Sequence, residues 1–121
     1  MAQDTVTIHP DGYLDVKVNG DQTYLTYDQL HKDLKPLIEE LNAQKRPILG
    51  LVDFTNIGNF APNTVKAGFE ILSDIPYTKV AFFGANLALK ELLDGIVLAI
   101  GRADTTKTFD SKDGALKWLL A

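Results

Sequence analysis

The sequence predicts an α/β fold with a mixed, mainly parallel sheet, and three observations carry that expectation. Apolar runs suited to strands alternate with helical patterns over most of the chain. Two short alternating runs near the start bracket a turn, the pattern of an antiparallel hairpin with one wet face. Pro47-Ile48-Leu49-Gly50-Leu51-Val52 is apolar without alternation, which marks a central strand covered on both faces.

In order, Thr5-Val6-Thr7-Ile8 is the first strand. His9-Pro10-Asp11-Gly12 is turn sequence, with Gly12 able to take a positive φ. Tyr13 to Val18 alternates again, and Asn19-Gly20-Asp21 closes the hairpin. Thr26-Tyr27-Asp28-Gln29 has capping-box spacing, with Thr26 as the N-cap. From there Tyr27, Leu30, Leu34, Leu37, Ile38 and Leu41 recur at helical spacing, opposite a charged face. Pro36 removes one backbone bond from this helix and should kink it without ending it, because the apolar period resumes unchanged.

The central strand ends at Asp53 in a stretch rich in Asp, Thr, Asn and Gly, and Pro62 suits the first turn of the next helix. That helix runs to about Ser73, with Val65, Phe69 and Leu72 expected to face inward. Tyr77 to Phe83 reads as another buried strand, and Asn86 to Ile100 as a third helix ending at Gly101. Thr106 to Phe109 is a last strand. Asp110 or Ser111 caps a final helix that places Ala115, Trp118 and Leu119 on the sheet. A central strand that delivers a polar loop to a helix start is where open α/β folds place their sites.

With 121 residues, the chain is read as one domain over 1–121. Its 45% hydrophobic and 23% charged residues are ordinary for a soluble globular protein. A net charge of −4 with no basic run disfavours nucleic-acid or anionic-membrane binding. The absence of cysteine removes disulfides, thiolate chemistry and cysteine-held metals. Met1-Ala-Gln-Asp-Thr lacks the basic and apolar regions of a signal peptide, so the expected location is cytoplasmic.

Three segments resemble the STAS domains, and within them the SpoIIAA-like branch. They are Leu51-Val52-Asp53-Phe54-Thr55, Lys79-Val80-Ala81-Phe82-Phe83-Gly84, and Phe109-Asp110-Ser111 followed by Ala115-Leu116-Lys117-Trp118-Leu119. Thr26 and Pro36 in the first helix also look like that branch. The resemblance implies a four- to five-stranded sheet with helices packed on it. For the anti-sigma-factor antagonists it further implies a phosphorylatable Ser or Thr where the second helix begins, a place where free N–H groups and the helix dipole favour phosphate. The matching positions are Asn63 and Thr64, but the antagonists' Asp-Ser-Ser/Thr-Gly-Leu-Gly pattern is replaced by Phe60-Ala61-Pro62-Asn63-Thr64-Val65-Lys66. Thr64 is therefore either a switch or a local hydrogen-bonder.

Asp53, Thr55, Asn56, Asn59, Phe60, Asn63 and Thr64 form the candidate interaction loop. Within it, Asp53 either orients a partner or satisfies loop N–H groups. Phe60 either plugs the core or walls a pocket. The third helix is apolar over more than one face yet too short to span a bilayer. Phe83, Leu92, Leu93, Ile96, Val97 and Ile100 are the candidates there for an apolar pocket or a homodimer interface.

Little points to catalysis. His9 and His31 are the only imidazoles, no Gly-rich phosphate loop or nucleophile-elbow motif occurs, and a zinc site is improbable. The expected function is a non-enzymatic regulatory or interaction module without a cofactor. Its partner would be another protein, such as a regulatory kinase or anti-sigma-like factor, or a second copy of itself. The alternative is a carrier or sensor of a small apolar, lipid-like ligand.

Overall fold

A computed structural model describes residues 4–60 and 62–121, and of residues 60, 62 and 63 the backbone alone. β1 (Thr5–Ile8) and β2 (Leu14–Lys17) form the expected hairpin, with Gly12 at φ +96° in its turn. They continue a five-stranded sheet through β4 (Leu49–Asp53), β6 (Lys79–Phe83) and β7 (Thr106–Phe109), in the order β1-β2-β4-β6-β7. β1 alone runs antiparallel to its neighbour, so the sheet is mixed and mainly parallel. β4 is its middle strand.

The parity of β4 divides the core. Ile48 and Phe54, flanking the strand, belong with Leu14, Val16, Val80 and Phe82 to a large apolar cluster. That cluster takes in α1 (Tyr24–Ala43) through Leu30, Leu34, Ile38 and Leu41, and α3 (Leu87–Ala99) through Leu89, Leu93 and Val97. Leu51 points the other way. With Ala81 and Phe83 it packs under α4 (Lys112–Leu119), whose Ala115 and Leu119 are fully buried. α2 (Pro62–Asp74) packs against α1, on the side of the larger cluster.

Helix ends follow local chemistry. Ser111 Oγ accepts from the Gly114 N–H at 3.1 Å, and Asn86 Oδ1 from the Leu89 N–H at 2.8 Å. Gly101, past the end of α3, has φ +73°.

Four sequence expectations need correction. The first helix is capped by Thr23, not Thr26. Thr23 Oγ1 accepts from the Thr26 N–H at 3.3 Å, and Thr26 Oγ1 accepts from the Thr23 N–H at 2.9 Å. Gln29 instead bonds Asp33 at 2.8 Å. Asn19-Gly20-Asp21 is more than a closing turn: β3 (Gly20–Gln22) pairs in parallel with β5 (Ile57–Phe60), inside the segment read as a loop. Phe69 is exposed on α2, because Thr64 and Ala67 form its buried stripe, extended by Ile71 and by Ile75 beyond its end. Phe83 faces α4 rather than the third helix.

The cap assignment predicts that Thr23→Ala loses about 1 kcal/mol of stability in urea unfolding, whereas Gln29→Ala is neutral within about 0.5 kcal/mol. The reverse order of effects would return the cap to Thr26.

Candidate ligand-binding site

Alternation along β4 aims Ile48, Gly50, Val52 and Phe54 at one face, where they meet Leu14 and Val16 of β2 and Val80 and Phe82 of β6. These side chains floor a cavity of about 120 Å³. Tyr27, Leu30 and Leu34 of α1, Thr64, Val65, Gly68, Ile71 and Leu72 of α2, and Leu89, Leu92, Leu93 and Ile96 of α3 roof it. The walls are almost wholly aliphatic and aromatic. Among the described residues, its polar side chains are Thr64, Tyr27 and Tyr77. Tyr77 Oη is already paired with Thr106 Oγ1 at 2.6 Å. A site with so few free polar groups suits an uncharged apolar molecule, since an ion placed there would lose its hydration without replacement.

One end of the cavity abuts a polar cluster. Thr64 Oγ1 donates to the Gln22 carbonyl at 3.3 Å, and Gln22 Nε2 donates to Asp4 Oδ1 at 3.0 Å. The Asn19 N–H donates to the same Asp4 oxygen at 2.9 Å, while Asp4 Oδ2 is buried without a hydrogen-bond partner. Burial holds the Asp4 carboxyl above its ordinary pKa, against the lowering effect of these two hydrogen bonds. Burial also pushes the Tyr27 phenol far above its usual value, and the Asp4 charge adds in the same direction.

The residues of the candidate loop do not converge on one site. Asp53 is half-buried, and its Oδ1 accepts the Thr55 N–H at 2.8 Å, a local turn contact. Thr55, Asn56 and Asn59 are exposed, and the Asn59 N–H is held by Asp21 Oδ1 at 2.9 Å. Gly58 is required by the β3–β5 pairing, since a Cβ there would collide with Asp21. The side chains of Phe60 and Asn63 lie outside the described residues. Thr64 is only 3% exposed, and its hydroxyl is engaged.

Of the third-helix candidates, Leu92, Leu93 and Ile96 line the cavity. Val97 packs in the larger core cluster, and Ile100 is the C-cap of α3. Phe83 does not line the cavity; Phe82 does. Residue-level reading also missed Phe54 and the two glycines, Gly50 and Gly68. Phe54 shares the parity of Ile48 and Val52, a signal present in the sequence. Among the described residues, no group of three His, Asp or Glu side chains could hold a metal ion. His9 stacks on Tyr13, with ring centroids 4.5 Å apart.

No protein-family model and no curated protein matches the chain. Solved structures do. An uncharacterized protein of the DUF3478 family with a SpoIIAA-like fold, from Shewanella loihica PV-4, is 21% identical. The match covers 98% of this chain and 95% of that one, with a TM-score of 0.70. The anti-sigma factor antagonist SpoIIAA, in its unphosphorylated form, is 7% identical over 92% of this chain and 91% of its own, with a TM-score of 0.60. The chain therefore has the SpoIIAA-like STAS fold.

Two outcomes test this polar end. Thr64→Val should lose about 1 kcal/mol, whereas Thr64→Asp should lose about 3–5 kcal/mol by burying an unpaired charge. A Thr64→Asp variant as stable as the wild type would reopen the switch. The second outcome concerns pH. The folded pKa of Asp4 lies above the reference value of 3.8, so the folded chain binds more protons in between. The stability Asp4 contributes is fully present below pH 3.8 and is lost as pH rises through the folded pKa. Urea unfolding across that window should show Asp4→Asn losing less stability than the wild type; parallel curves would contradict the assignment.

Proposed function

We propose that this chain is a non-enzymatic binding module that carries or senses a small apolar ligand. One observation supports the reading above others: a cavity of about 120 Å³ whose walls are nearly all hydrocarbon, between the sheet and its helices. Protein interiors ordinarily close such space, because a void forfeits the dispersion contacts of its lining. The reading reverses the order in which the sequence ranked its two expectations. The burial of Thr64 and its bond to the Gln22 carbonyl weigh against a phosphorylation-driven switch at that position.

A second reading, a regulatory module that docks another protein or a second copy of itself, keeps one specific observation. Leu87 and Leu98 lie three turns apart on the outer face of α3, 71% and 74% exposed. The likeness to an anti-sigma factor antagonist is compatible with such docking.

Thermal unfolding of the purified chain with neutral hydrocarbons distinguishes the readings. Benzene or n-hexane at saturation should raise Tm, because a ligand bound only by the folded state stabilises it. Hexanoate at equal concentration should raise Tm less than n-hexane does, since its carboxylate must stay outside the hydrocarbon walls. A Tm indifferent to every neutral probe would discard the apolar-ligand reading. Native mass spectrometry that then showed dimers would favour the second.

A further inference from the structure

Gly50 and Gly68 sit on opposite walls of the cavity, one in the sheet floor and one in helix α2. Glycine is a costly choice at both places. In the middle of a strand it weakens the sheet and often marks a site where another molecule approaches closely. Inside a helix it is among the least favourable residues. Neither position needs the left-handed conformations that only glycine tolerates well, for both lie outside the positive-φ glycines of the chain. Nor does close packing require them. A Cβ on Gly50 would meet the Val80 methyls at 3.4 and 3.8 Å, and one on Gly68 would meet the Tyr27 ring at 3.5 Å, ordinary van der Waals contacts. Gly58 is the contrast, since a Cβ there would strike the Asp21 carboxylate and the Gly20 backbone.

We infer that Gly50 and Gly68 are specificity-determining residues. Their missing side chains hold open the space that seats a compact, uncharged hydrocarbon group of about one six-membered ring. This rests on the apolar-ligand reading and adds to it the size of the seated group and the residues that set it. The size follows from volume: a dry cavity of about 150 Å³ lined by aliphatic and aromatic side chains accepts benzene, and this one measures about 120 Å³. The class follows from the lining. Thr64 Oγ1 already donates to Gln22 O and Tyr77 Oη is tied to Thr106, so among the described residues the Tyr27 hydroxyl alone is left to meet a polar head, too little to replace the hydration of an ion. Any charged or longer portion of the natural ligand must project past the partly exposed Val65, Leu72 and Leu92.

The test uses benzene as probe, with Gly50→Ala, Gly68→Ala and, as a control, Gly95→Ala. Gly95 is exposed on α3 with nothing within 4 Å of its would-be Cβ, so it reports helix propensity alone. All three substitutions should raise Tm by about 2–5 °C, because each removes the entropic cost of glycine without a clash. Calorimetric titration should then separate them. Gly95→Ala binds benzene as the wild type does, while Gly50→Ala and Gly68→Ala bind at least about tenfold more weakly because the added methyl occupies the seat. Gly50→Val, with a larger side chain, should abolish binding. Undiminished benzene affinity in both alanine variants would overturn the inference while leaving the apolar-ligand reading in place. A fall in Tm for Gly50→Ala and Gly68→Ala, with Gly95→Ala stabilised, would also overturn it, since the glycines would then serve the backbone. A wild type that binds no neutral hydrocarbon at all would remove the underlying reading and this inference together.

Discussion

The alternation of side chains along β4 is the constraint on which the rest of the structure depends. Successive residues of a strand point to opposite faces, so each position on β4 is assigned to one of two unlike environments. Gly50 and Val52 face the large cluster beneath α1 and α3, while Leu51 faces the smaller cluster beneath α4. The parallel registers carry this division across the sheet. Gly50 lies between Leu14 and Val80, and Val52 between Val16 and Phe82, all four on the cavity side. A slip of one residue would exchange Phe82 for Phe83 and Gly50 for Leu51, closing the cavity with a leucine.

The cavity follows from that division and from the seating of α2. This helix packs on α1. Its buried stripe is made of small residues as well as large, with Thr64, Ala67 and Gly68 toward the start and Ile71 and Ile75 toward the end. Small side chains on one wall and a glycine on the facing strand leave a volume that neighbouring side chains do not fill. Side chains that line such unfilled space lack dispersion partners on one side, and a ligand that restores those contacts binds with them in its favour. The chain has a SpoIIAA-like fold, and Thr64 near the start of α2 is buried with its hydroxyl donating to the Gln22 carbonyl.

Much of the fold was legible because it is written in local patterns. Strand and helix alternation, the non-alternating run before Asp53, the turn glycine Gly12 and the cap Ser111 each carry their own physical signal. The misses share a cause, which is that they depend on contacts distant in sequence. Gly20-Asp21-Gln22 and Ile57-Gly58-Asn59-Phe60 look like turns, since their strand character arises only when they pair with each other. Thr23 and Thr26 are equally good caps by type, and reciprocal bonding between the two decides. On α2, Val65 and Leu72 reach the cavity as expected, but Phe69 is left exposed while the smaller Thr64 and Ala67 are buried. Phe82 and Phe83 cannot be told apart without the register. Leu92, Leu93 and Ile96 stood out from the breadth of the apolar arc on α3, while Gly50 was read only as part of the central strand and Gly68 only as part of the second helix.

The measurement that most directly tests the cavity as a binding site is nuclear Overhauser spectroscopy of the methyl-labelled protein titrated with benzene. Ligand protons inside the cavity should give contacts to methyls of Val52, Val80, Leu93 and Ile96, which line it from the sheet and from α3. Methyls of Leu119, under α4 on the opposite face, should give none. Contacts confined to the exposed Leu87 and Leu98 methyls, or no contacts at all, would contradict a ligand site between the sheet and its helices.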